Sequence, residues 1–254
     1  MRFHIIIPAR LHSTRLPNKV LADIGGKTML QRVYEQALAS EASSVTIATD
    51  HPDIYATAGD FAAPVVMTQA HPNGTARIAE AADSLGLTHT DIIVNLQADE
   101  PFMPPSLLNQ VAHLCAKQTI ARMATLCHRI TEYADIFNPN IVKVVMSEHE
   151  EALYFSRAPI PWDRAGFDAL DFSTTSVDKH MTYPCYRHIG LYAYDVAFLK
   201  AYVSWPVTVL EQSEQLEQLR VLSYGYRIAI AEACEPSSIG IDTPADLAAA
   251  RALV

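Results

Sequence analysis

No stretch of this chain approaches the ~20 consecutive apolar residues that a membrane-spanning helix needs, although half of its 254 residues are hydrophobic. That apolar content goes instead to a core, ample for one large domain or a domain with a lobe. Cysteine is scarce. Cys115, Cys127, Cys185 and Cys234 are scattered, which argues against a disulfide framework or a thiolate metal cluster, and they read as reduced core thiols. Positive charge is in deficit as well: the formal net charge is -9, which argues against a general nucleic-acid binder, because phosphate neutralisation needs a basic face. The opening residues lack the charged, apolar and small organisation of a signal peptide. A cytoplasmic location is expected, with neither membrane nor nucleic acid as partner. There is no internal repeat, low-complexity tract or obvious linker, so a single domain over 1–254 is expected.

Against the acidic background, the first twenty residues stand out. The apolar run Phe3-His4-Ile5-Ile6-Ile7 breaks into Pro8-Ala9-Arg10-Leu11-His12-Ser13-Thr14-Arg15-Leu16-Pro17-Asn18-Lys19. The run reads as a buried parallel strand, so the loop leaves its carboxyl end, where open α/β sheets bind ligands. Arg10, Arg15 and Lys19, with no acidic residue among them, suit a polyanion such as a nucleoside triphosphate; the plainer alternative is a solvated basic turn.

The first half alternates strand candidates at 3–7, 45–49, 65–67 and 91–96 with helices near 28–40, 52–62, 74–85 and 105–118. This rhythm predicts βαβ units and a mostly parallel sheet. Beyond about 120, strand-like stretches (122–128, 141–147, 152–156, 185–194) follow one another with little helix. A polar segment at 163–182 reads as either a lid or a surface loop. A helix at about 208–222, a strand at 226–233 and a helix from 244 complete the pattern.

Gly25-Gly26-Lys27-Thr28 resembles the end of a phosphate-binding P-loop, but the motif needs a glycine where Leu21 stands. The two glycines are better read as a turn launching the helix capped at Thr28. The strand Ile92-Ile93-Val94-Asn95-Leu96 runs into Gln97, Ala98, Asp99, Glu100 and Pro101. A carboxylate there suits Mg²⁺, which prefers hard oxygen ligands, and equally suits a turn. In Gly240-Ile241-Asp242-Thr243-Pro244-Ala245-Asp246, helix capping accounts for Thr243, Pro244 and Asp246 and leaves Asp242 over as a possible second metal ligand. Arg157, Arg187 and His188 are candidates to receive a carboxylate, with a structural histidine the default for His188. The glutamate-rich stretch 210–220 reads as a solvated helix face with Leu210, Leu216 and Leu219 inward.

Taken together, these blocks resemble the cytidylyltransferases that activate the acidic sugar 3-deoxy-manno-octulosonate (Kdo). The resemblance extends over essentially the whole chain. It also takes in Ala48-Thr49-Asp50-His51, Gly74-Thr75-Ala76-Arg77, Phe137-Asn138-Pro139-Asn140, Val142-Lys143-Val144-Val145, Tyr154 to Arg164, Arg187 to Tyr192 and Leu210 to Arg220. The resemblance implies a Rossmann-like nucleotidyltransferase fold: α/β, with a mostly parallel central sheet, helices on both faces, and an inserted subregion at about 120–205 for sugar binding and dimerisation. It further implies a homodimer, a Mg²⁺ requirement, and conversion of CTP and Kdo to CMP-Kdo and pyrophosphate for lipopolysaccharide synthesis. Carried over by position, Arg10, Arg15 and Lys19 would hold the triphosphate, and Asp99 and Asp242 the metal. Pro8, Ala9, Gly74, Thr75 and Arg77 would lie along the nucleotide. Gln97, Arg157, Arg164, His188, Tyr192, Glu211 and Gln212 would face the sugar. Three positions depart from the family pattern: Ala98 for glycine, Ala76 for an acidic residue and Asn73 for serine.

The competing readings are a cytidylyltransferase for 8-amino-Kdo or sialic acid, a glycosyltransferase sharing the nucleotide half, and a non-catalytic nucleotide sensor. Glycosyltransferases usually hold metal with an Asp-x-Asp pair, which Ala98-Asp99-Glu100 does not supply.

Overall fold

The computed structural model describes residues 1–13, 15–168, 183–237 and 240–254. They form two compact units. The first comprises Met1–Lys117, Leu191–Ser204 and Cys234–Val254, the second Gln118–Gly190 and Trp205–Ala233. The second unit thus begins close to the start of the expected subregion at 120–205, but it gives up 191–204 and takes in 205–233. Of the polar segment at 163–182, residues 169–182 lie outside the described residues, and with them the lid reading.

In the first unit, β1 (Phe3–Ala9) is followed by a short hairpin of β2 (Asp23–Ile24) and β3 (Lys27–Thr28). Then come α1 (Met29–Leu38), β4 (Ser44–Thr49), α2 (Pro52–Asp60), β5 (Val65–Met67), α3 (Gly74–Ser84), β6 (Ile92–Asn95) and α4 (Pro105–Lys117). β1 pairs in parallel with β4 on one side, Ile5 opposite Val45 and Ala9 opposite Thr49. On its other side it pairs in parallel with β6, Phe3 opposite Ile92 and Ile6 opposite Asn95. Ile5, Ile6 and Ile7 are therefore wholly buried, which is why this strand reads as a continuous apolar run rather than an alternating one. The chain leaves β1 toward β4 and later returns on the opposite flank as β6. A crevice at the carboxyl ends of β1 and β6 follows from that reversal, and it is the standard ligand position in such sheets.

Gly25 and Gly26 both have positive φ (59° and 80°), as the two-residue turn joining β2 to β3 requires. Thr28 accepts a hydrogen bond from Gln31 N–H at 3.1 Å and so caps α1. The P-loop look-alike is thus a hairpin turn and a helix cap.

The second unit holds β7 (Met123–Arg129), α5 (Tyr133–Phe137), β8 (Lys143–Met146), β9 (Ala152–Ser156), α6 (Arg164–Asp168) and the first half of β10 (Tyr186–Asp195). The residues of β10 from Leu191 onward belong to the first unit, where Tyr192 lies opposite Asn95 of β6 in antiparallel register. α7 (Val196–Ser204) follows in the first unit. The sequence pattern did not reveal this helix, although Asp195 accepts a hydrogen bond from Phe198 N–H at 2.7 Å, a recognisable start signal. In the second unit, α8 (Val209–Glu214), α9 (Leu219–Ser223) and β11 (Ile228–Glu232) complete the fold, and β11 pairs in parallel with β7. α10 (Pro244–Arg251) returns to the first unit.

Two expectations are corrected here. The helix expected over 208–222 is two helices, because Gln215 adopts the left-handed conformation (φ 54°) at the end of α8. The break turns Leu216 and Leu219 inward but leaves Leu210 44 % exposed, and Glu211 rather than Leu210 is buried. Among the cysteines, Cys115, Cys127 and Cys185 are buried, whereas Cys234 is exposed. Burial pushes the Cys127 and Cys185 thiols up to about 12 and about 11, so neither is a nucleophile near neutral pH.

Candidate active site

Within the first unit, three distant segments meet at one ammonium group. Lys19 lies in a single 3-10 turn (Lys19–Leu21) that ends the basic loop. Its Nζ donates to Asp99 Oδ2 at 2.6 Å and to Asp242 Oδ1 at 2.9 Å. Arg15 adds a contact of 2.9 Å to the other oxygen of Asp242. Each participant is positioned locally. Asp99 follows β6 in the turn at the carboxyl end of that strand. Asp242 precedes α10, whose cap is supplied reciprocally by Thr243 and Asp246; Asp246 accepts from the Asp242 and Thr243 N–H groups. The Asp242 carboxylate is thus left to face the cations, as capping arithmetic suggests.

Lys19 is 9 % exposed. Burial by itself would lower its pKa, but Asp99 and Asp242 outweigh it and hold the ammonium above its ordinary value. Lys19 is accordingly charged at neutral pH, and the two carboxylates share it. Arg10 is exposed and makes no ion pair among the described residues.

The amino end of α3 abuts the same strand end. A methyl group added at Gly74 would lie 3.2 Å from Pro8 Cγ and 3.9 Å from Gln97 Oε1, so a larger residue would need Pro8 to give way by a few tenths of an ångström. Asn73 caps α3 by accepting from Ala76 N–H at 2.9 Å. It therefore supplies the short side-chain acceptor that a serine would give. Gln97 Nε2 donates to Asn95 Oδ1 at 3.0 Å, and Ala98 is buried. Ala9 is buried in β1, and Thr75 lies half-buried in the first turn of α3.

Arg77 is only 4 % exposed. Its guanidinium reaches Asp50 at 2.9 Å and Thr68 Oγ1 at 3.2 Å. The Arg77 hydrogen bond, against the opposing effect of burial, holds the Asp50 carboxyl below its usual range. In this state Arg77 braces β4 against the loop before α3. Sequence reasoning gives Asp50 no role of its own; its position one residue past β4 is the available signal.

The remaining expected residues belong to the second unit, apart from Tyr192 and Gln97. Arg157 Nε donates to the Glu214 carbonyl at 2.7 Å and its Nη1 to the Pro139 carbonyl at 2.9 Å. The Glu214 carboxylate accepts from Arg157 N–H at 2.9 Å and Ser156 Oγ at 2.6 Å. Sequence reasoning misses Glu214 because a continuous helix would put it on a solvated face. Glu211 is buried against Arg220, with a 2.7 Å bond from Arg220 Nε, and also closes the cap of α8 with Thr208. Gln212 is exposed. Arg164 lies on the wall of a cavity of about 480 Å³ together with Trp162, Asp163 and Tyr183.

His188 packs edge-on against Phe155, ring centroids 4.8 Å apart. Its Nε2 lies 2.9 Å from Thr125 Oγ1, whose hydroxyl donates to the Ile189 carbonyl. Desolvation lowers the His188 pKa to about 3, which favours the neutral imidazole near neutral pH.

A mostly parallel sheet with a cationic loop leaving β1 and a carboxylate just beyond β6 suits a nucleotidyltransferase. The sequence pattern of the cytidylyltransferase family matches residues 4–228, and the chain belongs to that family. It is 50 % identical to the 3-deoxy-manno-octulosonate cytidylyltransferase of Cellvibrio japonicus, over 100 % of this chain and 98 % of the relative. It is 51 % identical to the enzyme of the same name from Herminiimonas arsenicoxydans, over 97 % of this chain and 96 % of the relative. Among solved structures, CMP:2-keto-3-deoxy-manno-octonic acid synthetase complexed with CTP superposes with a TM-score of 0.88 at 37 % identity, covering 100 % of this chain and 98 % of the other. A 4-diphosphocytidyl-2C-methyl-D-erythritol synthase, at 14 % identity and TM-score 0.62 with 100 % and 99 % coverage, shares the fold. No helix among the described residues is long and apolar enough to cross a membrane.

The Asp50–Arg77 pair yields a pH prediction. A carboxylate whose folded pKa is depressed contributes stability above its ordinary pKa and loses it as pH falls through the folded value. The stability gap between wild type and Asp50→Asn, measured by urea unfolding, is expected to be full at neutral pH and to shrink below about pH 4.

Proposed function

We propose that this protein joins CTP to Kdo, forming CMP-Kdo and pyrophosphate. The observation that carries the reading is the convergence of Arg15 and Lys19 on Asp99 and Asp242 at the carboxyl end of the parallel sheet. The names of the full-length relatives and of the CTP-bound neighbour support it. The reading includes a cytoplasmic homodimer supplying sugar for lipopolysaccharide assembly, with the region at 120–205 serving sugar binding and dimerisation; the family resemblance supports this part.

The sugar's anomeric hydroxyl attacks the α-phosphorus of CTP in line; its proton is released and pyrophosphate departs. Two anionic substrates must be brought together, so the protein's task is neutralisation and positioning. Arg15 and Lys19 exchange their carboxylate partners for the outer phosphates, and Arg10 joins them. Gly74 and Thr75, with Pro8 and Ala9, form the floor along the nucleotide. Gln97, Tyr192, Arg157, Arg164, His188, Glu211 and Gln212 are assigned to the sugar. In this role His188 offers a neutral hydrogen bond, while the arginines take the carboxylate.

Two carboxylates turned toward one positive centre are hard oxygen donors of the kind a divalent cation takes together with substrate oxygens. Asp99 and Asp242 would hold Mg²⁺. When bound, Mg²⁺ supplies neutralisation of phosphate charge and acidification of the attacking hydroxyl.

The direct test is pyrophosphate release from CTP with Kdo, run beside UTP, ATP and GTP and beside sialic acid. Release confined to CTP and Kdo is expected; release with sialic acid alone, or with no sugar acid, overturns the assignment. Asp99→Ala is expected to remain folded by circular dichroism while turnover falls at least on the order of a hundredfold; near-normal turnover would remove Asp99 from the metal site. Arg15→Ala should weaken CTP by about 1.5–3 kcal/mol and CMP by much less, as read by calorimetric titration. Equal losses would place the loop against base or ribose.

A further inference from the structure

The loop from Thr68 to Asn73, which delivers the chain to the amino end of α3, is held from within that helix. One turn of α3 separates Arg77 from Glu80, so the two side chains project on one face. Arg77 takes Thr68 Oγ1 at 3.2 Å. Glu80 holds the next part of the loop: Gln69 N–H donates to its two oxygens at 3.1 and 3.0 Å, and His71 Nε2 pairs with Oε2. The His71 contact holds the Glu80 carboxyl below its usual range, against burial and with help from Gln69 N–H. After Pro72 come Asn73, which caps the helix, and Gly74, which seats it on Pro8. Neither Glu80 nor His71 is explained by the reaction or by the core. Both side chains are partly accessible, at 30 % and 22 %, so neither serves to fill the core.

We propose that Glu80, with His71, is a positioning residue that sets the affinity for CTP by fixing the approach to Gly74 and Thr75 without touching the nucleotide. The inference rests on the cytidylyltransferase reading of that site. The geometry makes the effect specific. The latch ties only the segment before α3, on the nucleotide side of the first unit, and no bond in it involves a residue assigned to the sugar. A carboxylate with two acceptor oxygens can serve a backbone N–H and an imidazole at once. Glutamine keeps both bonds in weaker form, one through its oxygen and one through its amide nitrogen, whereas alanine keeps neither.

The test compares wild type with Glu80→Ala, Glu80→Gln and His71→Ala in full-length protein. CTP binding is read by calorimetric titration, and KM for CTP and for Kdo by pyrophosphate release. Glu80→Ala is expected to weaken CTP binding and raise its KM on the order of tenfold, since small displacements of a positioning group carry such penalties. KM for Kdo and kcat should change less than twofold, and Glu80→Gln should restore most of the loss. Unchanged CTP affinity, equal losses for both substrates, or failure of glutamine to rescue would overturn the proposal. If Glu80→Ala does not fold, His71→Ala carries the same comparison, with a smaller rise in the KM for CTP expected and no change overturning the proposal. Absence of turnover in wild type would count against the assigned reaction instead, and the CTP affinities of the variants would still decide the role of the latch.

Discussion

The charged cluster of the first unit depends on Lys19 being shared by two carboxylates that arrive from far along the chain. Asp99 lies 80 residues away and Asp242 lies 223 away. Two carboxylates brought this close repel unless a cation sits between them, and an amine this buried is costly unless it is paired. Each group makes the others tolerable. The arrangement also ties the basic loop, the end of β6 and the start of α10 into one object with balanced charge.

That cluster is only as well placed as its supports. β1, buried on both faces, anchors the loop that carries Lys19. The reciprocal cap of α10 consumes Asp246 and so frees Asp242. Gly74 allows α3 to press on Pro8, and the side chains of that helix hold the loop leading into it. The second unit follows the same principle with different parts. Lys143, fully buried, is satisfied by the carbonyls of Asn138 and Ile141 at 2.8 and 2.6 Å, and Arg157 secures Pro139 beside them. Burial, with Arg157 nearby, lowers the Lys143 pKa. Backbone carbonyls satisfy the Lys143 ammonium directly, and the Glu214 carboxylate lies close enough to oppose that lowering.

The parallel half was readable because its signals are local and redundant. A run such as Ile5-Ile6-Ile7 has few interpretations, and Thr28 and Thr243 announce helix starts through their own hydrogen bonds. Asp242 could be singled out because capping explained its neighbours. The region 208–222 misled for the opposite reason. Its leucine spacing suits one helix, but a single left-handed residue at Gln215 rotates the second half. A burial pattern inferred from uninterrupted periodicity then put Leu210 inside and Glu211 outside. Glu211 is inside because Arg220, nine residues later, satisfies it.

Residue order by itself therefore determined the mostly parallel architecture, the basic loop at the end of its first strand, and the inventory of charges that loop carries. These follow from periodicity and from the chemistry of neighbouring side chains. Tertiary structure decided which charges are engaged with one another: Lys19 with Asp99 and Asp242, Arg77 with Asp50, and Glu211 with Arg220. Such pairings depend on which segments folding brings within a few ångströms, and Coulomb attraction and desolvation act on that distance rather than on separation along the chain.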